Sequence, residues 1–138
     1  MPGTRTTTGQ FTFADWRERA LGPDENAAPR LAHASVRNTF GGGIEAAGTI
    51  CEYSIAYVTS KTGSFAGMEL ITGRLDGREG SFAVEERGWF GEDGTVHCTF
   101  EVVPGSGSGD LAGLRGKGGF TAHQGEETVA YRFEYELE

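Results

Sequence analysis

Apolar and polar residues alternate through most of this chain, and glycine interrupts the alternation at short intervals. A period of two is the mark of strands that bury one face. The segments QFTFADW, LAHASVRNTF, IEAAGTICEYSIAYV, SFAGMELITGRL, SFAVEERGWF, TVHCTFEVV, GGFTAH and ETVAYRFEYEL each read as a strand. Between them stand Gly41-Gly42-Gly43, Ser60-Lys61, Gly91-Glu92-Asp93-Gly94, Gln124-Gly125 and, as the strongest hairpin dipeptide, Asp76-Gly77. ALGPDENAAPR, with Pro23 and Pro29, is the longest break, and no stretch carries a helical period. Eight strands joined by tight turns predict an all-β fold, an eight-stranded antiparallel barrel of lipocalin-like outline whose closure removes exposed edges. Residues 1–9, rich in threonine and with little to bury, read as a disordered lead-in, which leaves 10–138 as one domain.

Turn positions set an expected register. Pairing Leu75 with Arg78 puts Glu69 opposite Val84 and Ile71 opposite Phe82. Pairing Phe90 with Gly94 puts Val84 opposite Phe100 and Glu86 opposite Cys98. Pairing Phe40 with Ile44 puts Asn38 opposite Ala46, and pairing Thr59 with Thr62 puts Glu52 opposite Glu69. One face then collects Val36, Asn38, Phe40, Ile50, Glu52, Glu69, Ile71, Phe82, Val84, Glu86, Val96, Cys98, Phe100 and Val102, and is the expected lumen. The other face carries most of the charge but also Tyr53, Ile55, Tyr57, Met68, Leu70 and Trp89. An apolar patch on a barrel exterior points to a homo-oligomer, here through Tyr53, Tyr57, Leu70 and Trp89.

Composition narrows the function classes. A chain of 138 residues builds a core without metals or staples, and 23 glycines with 9 phenylalanines suit tight turns between packed strands. The net charge of -8 argues against nucleic acid and against an anionic membrane surface. Cys51 and Cys98, the two cysteines, read as reduced thiols of a cytoplasmic protein. Neither an apolar run of spanning length nor a signal peptide is visible.

The glycine-rich stretch VVPGSGSGDLAGLRGKGGF invites a phosphate-loop reading, which its spacing refuses. Counting back from Gly116-Lys117 lands on Leu111 where a glycine is required, and Gly118 stands where a hydroxyl should follow. After Gly105 and Gly107 the dinucleotide pattern wants a third glycine where Asp110 stands, and no helix follows. The run from Gly107 to Gly116 instead resembles the signature of the allene oxide cyclase and dirigent barrels, with Leu111 at their phenylalanine and Arg115 at the dirigent arginine. Over Phe11 to Leu137 the chain is similar to an uncharacterised bacterial family, carried by GSFAGMELITGRLDGREGSF, the glycine-rich stretch and YRFEYELE. Both resemblances imply an eight-stranded barrel. The remote one also implies a cyclase or isomerase without metal or redox cofactor, although the cyclase and dirigent active-site residues have no counterparts that this chain aligns with. On strand geometry, Leu111 and Leu114 plug one barrel end.

The candidate chemistry lies in the carboxyls. Glu52 and Glu69 facing each other in an apolar lumen would either share a cation or leave one of them protonated to serve as an acid, unless one lies near a barrel mouth, solvated or paired with Arg132 or Arg115. Asn38, Phe40, Ile71, Phe82, Val84, Glu86, Cys98 and Phe100 would line a site for a hydrophobic small molecule. His33, His97 and His123 show no metal-ligand spacing. Three functions follow: a small-molecule-binding barrel, a cofactor-independent cyclase or isomerase using Glu52 and Glu69, or a structural protein with a filled core.

Overall fold

The computed structural model describes residues 3–24 and 27–137. Its strands are β1 (Arg5–Leu21), β2 (Arg30–Gly42), β3 (Ile44–Tyr57), β4 (Gly63–Leu75), β5 (Arg78–Phe90), β6 (Val96–Val102), β7 (Arg115–Ala122) and β8 (Thr128–Glu136). Each pairs antiparallel with the next in chain order and β8 returns to β1, giving a closed eight-stranded barrel. The seam runs from Arg5↔Tyr135 to Thr12↔Thr128. Arg5 to Gly9 therefore belong to the barrel wall and do not form a free lead-in; Met1 and Pro2 lie outside the described residues. Among the described residues no helix is long and apolar enough to cross a membrane.

The wall is uneven. The first strand has 17 residues, whereas β6, β7 and β8 have 7, 8 and 9. Beyond Thr12 the pairing of β1 continues only with β2, so its outer half rises past β8 and forms one lip of a mouth. The opposite end is closed. Ile44, Leu75, Phe82, Phe133 and Tyr135 fill it, and Leu111 and Leu114 of the glycine-rich segment cap it from below. Each such side chain contributes about 1.5–3 kcal/mol by leaving water. Ser108 anchors the cap to β5: its N–H donates to the Ser81 carbonyl at 2.9 Å and the two hydroxyls meet at 2.6 Å. Gly80 permits this approach, since a Cβ there would stand 2.1 Å from the Ser108 carbonyl oxygen. The stretch that looks like a phosphate cradle is a stopper.

The β4–β5 hairpin has the expected register, with Glu69 opposite Val84 and Ile71 opposite Phe82. Across β5–β6 the pairing is displaced by two residues, to Val84↔Val102, Glu86↔Phe100 and Gly88↔Cys98, which leaves every side chain on its expected face. The β3–β4 connection differs in a way that matters. Tyr57 pairs with Gly63, and Val58 donates to the Thr62 carbonyl at 2.8 Å. This places Glu52 opposite Met68 and Cys51 opposite Glu69. A shift of one residue exchanges the two faces of a strand. Cys51, Tyr53, Ile55 and Tyr57 consequently face the lumen, while Ile50, Glu52 and Ser54 face out. Lower on the same strand a bulge at Gly48, whose φ is +59°, restores Ile44 and Ala46 to the inside.

Two expectations are thereby corrected. Glu52 is an exterior residue, its side chain 63% exposed and 3.9 Å from the His33 imidazole. Tyr53 and Tyr57 leave the outer apolar patch, which consists of Met68, Leu70 and Trp89 together with Ile50, the cross-strand partner of Leu70.

Candidate functional site

At the mouth end the barrel encloses a cavity of about 300 Å³. Inward positions of five strands supply its aromatic wall: Phe11, Phe13 and Trp16 from β1, Tyr53 and Tyr57 from β3, Phe65 from β4, Phe90 from β5 and Phe120 from β7. Val36, Ile55, Val96, Ala122 and Val129 complete the apolar surface, and Asn38 stands at its base. Small residues make the space. Ala32 and Ala34 are the inward residues of outer β2, and the Phe65 ring lies across Gly88, where a Cβ would meet it at 2.4 Å. The rings pack edge to face, Tyr53 on Phe65 at 5.2 Å and Tyr57 on Phe90 at 5.4 Å, the arrangement aromatic quadrupoles favour. A bulge at Asp15, with φ +59°, keeps both Phe13 and Trp16 turned inward along β1. These two rings are 50% and 49% exposed, because the strands facing them are short and the cavity opens there.

The rim is polar. Tyr57 Oη donates to Glu18, Trp16 Nε1 donates to Glu18 Oε1 at 3.2 Å, and the Arg30 guanidinium lies 4.0 Å from the Tyr57 ring centroid. Burial and then the Glu18 carboxylate push the Tyr57 hydroxyl up to about 12.

Under the cavity lies a buried polar layer. Asn38 Nδ2 donates to Glu69 Oε2 at 2.9 Å, and the Thr49 hydroxyl donates to the same oxygen. Glu86 accepts from Tyr53 Oη at 2.9 Å and from the thiols of Cys98 at 3.5 Å and Cys51 at 3.6 Å. No buried side-chain polar atom among the described residues lacks a partner. Glu69 also bonds Glu86; burial first, and then this second carboxyl, push Glu69 up to about 9. Near neutral pH Glu69 therefore keeps its proton. Burial, followed by the neighbouring carboxyls, likewise raises both thiols, so Cys51 and Cys98 are inert neutral donors and no activated nucleophile. They are free, not disulfide-bonded.

Around the carboxyls is a void of only about 10 Å³, lined by Glu69, Glu86, Phe40, Ile71, Val84 and Phe100 among others. That is room for about one water. Phe11, Asn38 and Phe120 belong to the walls of both spaces, so one layer of side chains separates cavity from acid. Donor atoms of Cys51, Glu69 and Glu86 lie within 4.8 Å of one another. A cation bound there would have to replace the Glu69 proton and a thiol proton, since all three groups are already satisfied by each other and by their neighbours.

The family described as "Protein of unknown function (DUF3224)" matches residues 7–135. The chain belongs to this family. A crystal structure of a DUF3224-family protein of unknown function from Shewanella oneidensis MR-1 is similar to it throughout, with 26% identity, a TM-score of 0.75 and 99% of each chain covered. No curated protein matches.

In this DUF3224 chain the sequence-predicted site residues fall at three depths. Asn38 alone among them touches the larger cavity. Glu69, Glu86, Phe40, Ile71, Val84 and Phe100 surround the small void, with Cys98 against Glu86. Phe82 is deeper still, in the closed core, stacked on Phe133 at 6.2 Å. Glu52 is outside, so the carboxyl that faces Glu69 is Glu86. The aromatic wall was the feature that sequence reasoning missed. Its signal is the alternation Tyr53-Ile55-Tyr57 across from Phe65, which names a lumen face once the turn is counted as five residues.

Proposed function

We propose that this barrel binds a small, largely apolar molecule in the mouth cavity, with Asn38 and Tyr53 linking the occupant to the carboxyls beneath. The observation that carries this reading is the cavity itself. One end of the lumen is packed solid, while the other keeps an open space lined by aromatic rings. Its volume is at the lower end of the range for ligand sites. Two free thiols fit a reducing compartment such as the cytoplasm. Titration with the neutral dye N-phenyl-1-naphthylamine tests the proposal. Fluorescence enhancement that saturates at one dye per chain, and that Ile55→Trp abolishes by filling the cavity, is the expected result. Enhancement unchanged by Ile55→Trp would overturn it.

One observation favours a second reading, cyclase- or isomerase-type chemistry by acid catalysis: Glu69 holds an acidic proton one side chain below the cavity. The cavity would fold a flexible substrate and the carboxylic acid would act on its oxygen through Asn38, which it holds, without metal or redox cofactor. Glu69→Gln separates the two readings, since loss of turnover with dye affinity kept would belong to catalysis.

A further inference from the structure

Granting that the mouth cavity is a binding site, we infer that its occupant is an organic cation, a tertiary or quaternary ammonium bearing apolar groups. Eight of the fourteen residues around the cavity are aromatic: Phe11, Phe13, Trp16, Tyr53, Tyr57, Phe65, Phe90 and Phe120. Aromatic faces carry the negative pole of the ring quadrupole, and boxes of them select alkylammonium over equally greasy neutral molecules. Arg30 shows that the wall accepts such a charge, its guanidinium lying 4.0 Å from the Tyr57 centroid.

Apart from Arg30 on the Tyr57 ring, the ionisable groups that the rim and floor bring to the space are acidic. No lysine or arginine lines it. Glu18 stands at the rim, bonded to Tyr57 and Trp16. Below, the Glu69–Glu86 pair is faced by Asn38 of β2, by Thr49, Cys51 and Tyr53 of β3 and by Cys98 of β6. All of these are neutral donors. Among the described residues no ion pair joins Glu69 or Glu86 to a basic side chain. Buried carboxyls usually have a cationic partner, and the mouth cavity lies one layer of side chains above this pair, beyond Asn38 and Tyr53. A neutral hydrocarbon would make no use of this floor, and an anion would be disfavoured above its carboxyls. The chain's net charge of -8 adds a long-range attraction of the same sign.

The test compares two ligands of one shape. Benzyltrimethylammonium and neopentylbenzene differ only in nitrogen for carbon, and so in charge. On the unaltered chain the ammonium should bind about tenfold tighter, read by quenching of tryptophan fluorescence and by calorimetry. A cation above the floor also favours the ionised form of Glu69. Binding near neutral pH should therefore release part of a proton, seen as a heat that depends on the ionisation enthalpy of the buffer. Glu86→Gln should shrink the preference to about twofold, and Ile55→Trp should abolish binding of both ligands. Equal affinity for the two would overturn the charge assignment and leave the cavity reading standing. Binding of neither would overturn the cavity reading itself. Ammonium binding that survives Ile55→Trp would place the cation elsewhere and overturn this inference. The comparison on the unaltered chain does not depend on any variant folding.

Discussion

Glu69 keeps its proton because it has nowhere to send the charge: the side chain is buried, bonded to Asn38 and Thr49, and set against a second carboxyl. That raised value ties stability to pH. An unfolded glutamate loses its proton near its ordinary value, whereas folded Glu69 holds it up to about 9. Between those limits the native state binds more protons, so stability is complete on the acid side and declines as pH rises through the window. The slope cannot exceed one proton, about 1.4 kcal/mol per pH unit. Urea midpoints measured across this range should fall steadily for the unaltered chain. For Glu69→Gln, which keeps the shape and stays neutral, they should fall clearly less. Parallel curves for the two proteins would show that another group carries the linkage.

At the scale of elements, the eight strands were legible because alternation and turn dipeptides are local signals. The Asp76-Gly77 hairpin fixed the faces of β4 and β5, and with them Glu69, Ile71, Phe82, Val84 and Glu86. Register errors of two residues, as between β5 and β6, do no harm, since the pleat repeats every two. An error of one residue does. The turn after β3 is one residue longer than Thr59–Thr62 pairing allows, and Gly48 absorbs an extra residue further down the strand. Neither leaves a mark on hydrophobic periodicity, and so Glu52 was placed inside and Tyr53 and Tyr57 outside. The bulge makes its own prediction. A Cβ at Gly48 would meet no atom within 4 Å, yet φ there is +59°. Gly48→Ala should therefore cost only the left-handed penalty, roughly 1–2 kcal/mol in chemical denaturation, with dye binding retained. A loss well beyond that would mean the bulge does more than correct the register.

Over the whole molecule the uneven wall divides the barrel into a filled half and a hollow one. The stopper formed by Leu111 and Leu114, the stacked Phe82 and Phe133, and the start of the seam with β8 at Arg5 and Tyr135 all lie at the closed end. The mouth, by contrast, depends on β1 continuing beyond Thr12 with β2 as its one paired neighbour. Along Phe13 to Leu21 β1 is paired with β2 alone, whereas Gly9 to Thr12 are paired with β2 on one side and β8 on the other. Deuterium uptake should therefore split this one strand in two, its outer stretch labelling early and its inner stretch among the last in the protein. A molecule settling against Phe13 and Trp16 would slow the early phase and leave the late one untouched, so that a single strand would report occupancy and global unfolding on separate clocks.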